Sequence, residues 1–525
     1  MKPKLKNWEY VVLTSLLIIS FLFRFYNLRQ LFQFSLDEEF WSYLIQRIIV
    51  YKDIPLIGGE ISSTKIFTGP LYVYFHVPFY LVSKLHPLIG GYFWSAIGVV
   101  TTFLVYFFTK KYFSKLAAIP SSFLYASSFM MALYDRRFWN VSPIPIVSII
   151  SLWFLLKALN KKTHYLIPLS LILTFGIHSH FSSIAIFLAC TVTWLIQTRH
   201  KKSSKKQRKH VFLAVGLFLF LNLVPTTLFD LRHDFWHVKA AKELITSFTQ
   251  PKKPDSNADF SGIITNFSRS FGSLIYLSSN IDVADEMSHC QPIIDARPKA
   301  PIWAQMIGLF VIGFMIIHTL KNKHKPLSQF LAILLTVNLL GLFVYRERVF
   351  TYHFAALMPF FFIYLSLALT AISKKTHLLT IPLTVVTLLV INTQSLLNAK
   401  SDLSFTTKED IAAIIIDQTQ NQNVSINFLP SCEQYGFRYI FTVFKKPIAK
   451  SWVDPILGWL YPEETNQSIN TYVNIAVEDE GATPTFYAQL NLLKNQAHTT
   501  VNYQNKVTIF FSFSPLQTDN NKTFY

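Results

Sequence analysis

"GPLYVYFHVPFYLVSKL", residues 69–85, decides the topology of this chain, and with it the fold. Eleven other apolar runs lie along the 525 residues, at 8–23, 90–108, 116–133, 143–159, 164–177, 181–197, 211–229, 301–320, 327–345, 353–373 and 377–397. Most approach the ~20 residues that a membrane-spanning helix needs. Suppose 69–85 does not cross. Then Lys2, Lys4 and Lys6, "KKYFSK" (110–115), "NKKTH" (160–164), "RHKKSSKKQRKH" (199–210), "KNKHK" (321–325) and "SKKTH" (373–377) all fall on one side, the cytoplasmic one by the positive-inside rule. If it crossed, the later clusters would change sides and contradict the N-terminus. Residues 70–85 are therefore read as a juxtamembrane or re-entrant segment buried in protein, and the chain as crossing about eleven times.

Composition supports a polytopic membrane protein: 51% of residues are hydrophobic, 16% aromatic and only 15% charged. The opening "MKPKLKNWEYVVLTSLLIISFLF" has a basic start and an apolar stretch but runs on into Arg24 without a small-residue cleavage site, so it reads as a retained first span. The net charge of +19 sits in clusters where apolar runs break, so it reports topology and not a nucleic-acid partner. Cys190, Cys290 and Cys432 form neither a disulfide framework nor a metal-ligand spacing.

This topology collects the remaining polar residues on the outer face: "DEE" (37–39), "YDRRFWN" (134–140), "HSH" (178–180), "DLRHDFWH" (230–237) and "YRERVFTYH" (345–353). The outer loops near 135, 179 and 348 are short and pinned by helices at both ends. The aromatic residues Trp41, Tyr43, Tyr72, Tyr74, Phe75, Tyr134, Trp139 and Trp236 read by default as an interfacial belt, a few of them lining a prenyl groove or stacking on a sugar. Beyond the last span the composition changes. "KEDIAAIIIDQ" is helix-like, and "QNVSINFLP", "NTYVNIAVED" and "KVTIFFSFSP" are strand-like. The predicted fold is thus an all-α polytopic membrane domain over 1–399, with juxtamembrane helices in the first outer loop, and a small soluble α/β domain over 400–525 on the outer side.

The order and spacing of several segments resemble the GT-C glycosyltransferases of the protein O-mannosyltransferase and aminoarabinose-transferase branch. "RFYNL" at the exit of the first span leads into "LDEEFWSYLIQRI", similar to that family's Asp-Glu pair before a juxtamembrane helix. "TGPLYVYFHVPFYL" resembles its Pro-Leu-Tyr segment, and "ALYDRRFWNVSPIPIVSIISLWFLLKAL" its second outer loop, although "YDRR" departs from the commoner pattern there. The match covers residues 1 to about 200 well and the later spans loosely. The resemblance implies transfer of a sugar from a polyprenyl phosphate or diphosphate to an acceptor on the outer face, with inversion at the anomeric carbon. Asp37 is then the base that takes the acceptor's proton, and Glu38 holds the acceptor or orients a cation. A departing phosphate is stabilised by fixed cations. Candidates are Lys65, Arg136, Arg137, Arg232, Arg346, Arg348 and His353, two or three of which are expected to take part; singly, each reads as a snorkelling cation at the lipid surface. His178 and His180, at i and i+2, are suited to a phosphate or a metal. No cofactor is assigned. A divalent cation is disfavoured because the first outer loop has no Asp-x-Asp pattern.

The expected partners are a polyprenyl-phosphate-linked sugar donor, membrane lipids, and a lipid, polysaccharide or protein acceptor. The expected location is the plasma membrane of a prokaryote, N-terminus cytoplasmic and C-terminal domain extracytoplasmic. The alternative is a transporter or flippase for a lipid-linked or small sugar. It would want charges in mid-helix or broken helices at the midplane, and the spans here are almost free of charge.

Overall fold

The computed structural model describes residues 7–515 apart from 62–63, 203, 250–259, 280–299, 346–350, 377–378, 402–403, 421, 430–435, 447, 465–467, 479–483 and 504–506. Every apolar run read from the sequence is helical. The helices are α1 (Asn7–Phe25), α5 (Leu88–Tyr112), α6 and α7 (Lys115–Ser127, Phe129–Asp135), α8 (Ile144–Leu159), α9 (Leu166–Ser179), α10 (Ser183–Thr198), α11 (Lys205–Arg232), α14 (Ile302–Lys321), α15 (Pro326–Tyr345), α16 (Met358–Thr376) and α17 (Thr380–Leu397). By length and composition six helical segments can cross a membrane, or seven if α6 and α7 count as one span bent by 63°. Eleven crossings would also need α8, α9, α10 and α15, of which α8 and α10 have 16 residues and α9 has 14.

The deciding stretch folds as α4 (Leu71–Val82), a 12-residue helix with Pro78 inside it and Tyr72, Val73, His76 and Tyr80 buried. A helix of that length rises about 18 Å, too little for the hydrocarbon core. It lies with α2 (Leu28–Leu31) and α3 (Leu36–Gln46) in the segment between α1 and α5. Two further helices, α12 (Trp236–Thr249) and α13 (Phe260–Ile275), lie between α11 and α14.

Downstream of residue 400 lie α18 (Phe405–Thr419), α19 (Arg438–Val443), α20 (Asp454–Leu457), α21 (Pro484–Gln496) and strands β1 (Val424–Leu429), β2 (Lys450–Ser451), β3 (Thr471–Val477), β4 (Thr499–Tyr503) and β5 (Val507–Ser512). The sheet order is β2-β1-β3-β5-β4. β1 runs parallel to β2 and β3, whereas β5 is antiparallel to β3 and β4. The three long strands coincide with the three runs read from the sequence. Alternating burial in β4 and the two-residue length of β2 left no such run to read. One buried apolar cluster joins Leu28, Phe32, Phe34, Tyr43 and Tyr72 of the segment between α1 and α5 to Ile411, Ile426, Tyr439 and Ile509 of the C-terminal unit.

Candidate functional site

The three carboxylates of "DEE" occupy the first turn of α3, and a helix turns each about 100° from the last. They consequently meet three different environments. Glu38 is fully buried. Its Oε2 accepts from the Ser35 backbone N–H (3.0 Å) and hydroxyl (2.6 Å), closing the helix N-terminus. Arg137 donates to both its oxygens, Nε to Oε1 at 2.8 Å and Nη2 to Oε2 at 3.1 Å, and Nη2 also reaches the Ser35 hydroxyl at 3.0 Å. The Arg137 guanidinium lies over the Trp139 ring, 4.1 Å from its centroid. Glu38 is expected from the sequence to hold the acceptor or orient a cation; in the structure its carboxylate is out of solvent and paired with Arg137.

Glu39 is also fully buried, and it faces the C-terminal unit. Its Oε2 accepts from the Gly436 N–H at 3.0 Å and its Oε1 from the Tyr439 N–H at 2.8 Å. Burial pushes its carboxyl up, against the pull of those two N–H groups and of Lys408 and Arg438. Asp37 is the partly accessible member of the three, and with Glu38 it stands close enough to raise the pKa of the buried Tyr72 phenol further.

The loop after α7 supplies two arginines with different fates. Arg136 is fully buried and turns toward the end of α1, donating to the carbonyls of Phe23 (2.6 Å), Tyr26 (2.8 Å) and Arg24 (3.1 Å). A cation there offsets the partial negative charge of a helix C-terminus, which is a structural use in place of the expected phosphate contact. Next to it Arg24 and Asp135 make a buried ion pair at 2.8 Å. Arg24 also donates to the Ser20 hydroxyl and the Ala126 carbonyl. Gly98 is required beside this pair, because a Cβ there would collide with both the Asp135 carboxylate and the Arg24 Nε.

An aromatic chain connects Arg137 to two of the predicted histidines. The Trp139 ring packs edge-on against Tyr352 (5.3 Å), and Tyr352 against His180 (5.7 Å) and His353 (4.5 Å). Desolvation, with His353 beside it, pushes His180 down to about 3, so its ring is neutral at physiological pH and offers hydrogen bonds but no charge. His178 lies apart from this group. It is buried against Gly69, and its Nδ1 accepts from the Leu71 N–H at 3.4 Å, at the start of α4.

The other expected cations stand elsewhere. Lys65 is exposed, in an ion pair with Glu243 at 3.0 Å, and Arg232 is exposed in the last turn of α11. Arg346 and Arg348 lie outside the described residues. Among the described residues no group of three or more His, Cys, Asp or Glu side chains can hold a metal ion. Most of the expected aromatic belt is interior: Trp41, Tyr43, Tyr72, Tyr134 and Trp139 are buried, while Phe75 and Trp236 are exposed.

Sequence reasoning missed the ties that seat the C-terminal unit. Glu409 of α18 takes Arg29 at 2.6 Å and His86 at 3.2 Å; Lys408 donates to the Phe34 carbonyl at 2.7 Å, and the Tyr439 hydroxyl to that of Leu85 at 3.0 Å. Gly436 has φ +81°, and a Cβ on it would strike the Phe34 carbonyl, so the residue is fixed as glycine by both conformation and space.

Residues 74–225 match the family described as dolichyl-phosphate-mannose-protein mannosyltransferase. A comparison with curated proteins returned no match. Among solved structures, ArnT from Cupriavidus metallidurans bound to undecaprenyl phosphate superposes with a TM-score of 0.55 at 12% identity, over 98% of this chain and 99% of that one. Its apo state gives 0.56 at 11% identity, over 96% and 98%. The oligosaccharyltransferase AglB from Archaeoglobus fulgidus, in complex with an inhibitory peptide and a dolichol-phosphate, gives 0.51 at 12% identity, over 98% of this chain and 75% of that one. The chain is an integral-membrane protein that shares the fold of these structures, and its residues 74–225 match the dolichyl-phosphate-mannose-protein mannosyltransferase family.

Proposed function

We propose that the chain moves a sugar from a polyprenyl-phosphate-linked donor to an acceptor on the extracytoplasmic face, with inversion, and that Asp37 is the general base. The observation that carries the reading is the division of labour in the first turn of α3: Glu38 and Glu39 are fully buried, and Asp37 alone of the three is partly exposed. A carboxylate so placed takes the proton of an acceptor nucleophile as it attacks the anomeric carbon. The bond to the donor phosphate breaks on the opposite side of the sugar, and the phosphate leaves with the electron pair. The ring contacts that lead from Arg137 through Trp139 and Tyr352 to His180 and His353 join the groups assigned to donor and acceptor. The likeness to structures holding undecaprenyl phosphate and dolichol-phosphate supports a donor with a polyprenyl phosphate head. Arg346 and Arg348 remain assigned to that phosphate.

The transporter alternative draws no support from the buried pair of Arg24 and Asp135, which stand in the last turns of α1 and α7 and not in mid-helix. The test is a transfer assay with purified protein, native membranes as acceptor, and a panel of undecaprenyl-phosphate-linked mannose, glucose and aminoarabinose. The proposal requires transfer from at least one donor, with product of opposite anomeric configuration. Uptake or flipping of a donor without transfer would support the alternative.

A further inference from the structure

We propose that Glu39 is a positioning residue through which the C-terminal unit sets the direction of Asp37. The inference rests on the transfer reading above and adds to it a function for residues 400–525. Glu39 stands two residues after Asp37 in the same helical turn and is fully buried. Both its oxygens are filled, by the N–H groups of Gly436 and Tyr439. These donors are backbone groups, so their positions follow the body of the C-terminal unit and not a side-chain rotamer. On another flank of the same turn, Glu38 is held by Arg137 and Ser35. Two adjacent buried carboxylates are thus anchored to two different parts of the chain. Rotating α3 about its axis breaks one anchor or the other, and Asp37 is carried on that axis.

The residue type fits the task. A carboxylate is an acceptor with two equivalent oxygens and no donor, which matches two converging N–H groups; a glutamine would set its own NH2 against one of them. Docking of the unit as a whole does not depend on Glu39. The ties of Glu409 to Arg29 and His86 lie outside α3, and those of Lys408 to the Phe34 carbonyl and of the Tyr439 hydroxyl to the Leu85 carbonyl are made without the Glu39 side chain. Loss of Glu39 should therefore loosen a direction and leave the unit attached.

The experiment compares Glu39→Gln, Glu409→Gln and Asp37→Asn in the full-length protein, using whichever undecaprenyl-phosphate sugar of the panel above the wild type transfers best. Glu39→Gln is expected to lower kcat by roughly 10- to 100-fold, the scale of a catalytic group misplaced by about 1 Å, with the KM for donor unchanged. Limited proteolysis should show the C-terminal unit still protected. Glu409→Gln, which cuts a docking tie without touching α3, should keep wild-type kcat. Should Glu39→Gln fail to fold, Glu39→Asp, which keeps both acceptor oxygens on a shorter stem, should show the same split in milder form. Wild-type kcat in Glu39→Gln, or equal losses in Glu39→Gln and Glu409→Gln, overturns the inference while leaving the transfer reading intact. An Asp37→Asn variant that transfers normally brings down the transfer reading instead.

Discussion

Arg137, a cation proposed for the site, is also built into the fold. It neutralises a fully buried Glu38, stacks on Trp139 and begins the aromatic path to His180 and His353. Removing one partner of a buried ion pair leaves the other charge unpaired, at a cost of about 3–5 kcal/mol. Arg137→Ala should therefore lower both thermal stability and transfer, whereas the double replacement Arg137→Met with Glu38→Met should recover much of the stability and none of the transfer. Thermal unfolding of the solubilised protein, set beside the transfer assay, checks both; recovery of activity in the double variant would deny Arg137 a place at the site. At this scale the sequence was half legible. A run of three carboxylates after a span marks a site, but which of them is buried depends on partners about 100 and 400 residues away, Arg137 for Glu38 and Tyr439 for Glu39. Helical spacing sets Glu39 about 200° around the helix from Asp37; that it turns into protein there is decided by the backbone N–H groups of the C-terminal unit.

Among the elements, the break between α6 and α7 is one the sequence does not announce. The two helices meet at 63° with Ser128 between them, and backbone groups freed at a break inside a membrane protein need partners from the surrounding helices. Asn392 of α17 supplies one, its Oδ1 accepting from the Phe129 N–H at 2.9 Å, while its Nδ2 ties the break to the end of α13 by donating to the Ile275 carbonyl at 3.1 Å. The Ser128 hydroxyl closes the Leu274 carbonyl at 3.0 Å. Asn392→Leu keeps the side chain's size but strands these groups, so a loss of about 1–3 kcal/mol is expected, measured as a lower midpoint of thermal unfolding. An unchanged midpoint would mean that the break does not rely on Asn392. The apolar runs themselves were legible because hydrophobicity over ~20 residues is a property of local composition. Where a run bends is decided by distant polar side chains, and these leave no local trace.

For the whole molecule, the decisive step was to keep residues 69–85 out of the membrane, and α4 is too short to cross it. The orientation that follows from the basic clusters places Lys205 in the cytoplasm and Lys450 outside. Single cysteines introduced at these two exposed positions, in a background without the native three, should react with an impermeant thiol reagent at 450 and not at 205 in intact cells; the reverse pattern inverts the topology. The seating of the C-terminal unit on the segment between α1 and α5 escaped the sequence, because it is made of contacts such as Arg29 with Glu409 that join residues 380 positions apart. The central claim is that this assembly presents Asp37 as a base for sugar transfer, and Asp37→Asn tests it most directly. The amide keeps shape and polarity but loses most of the ability to accept a proton, so transfer from the best undecaprenyl-phosphate sugar should fall by roughly 100-fold or more with donor binding and thermal stability close to wild type. Transfer by Asp37→Asn at the wild-type rate would contradict the account.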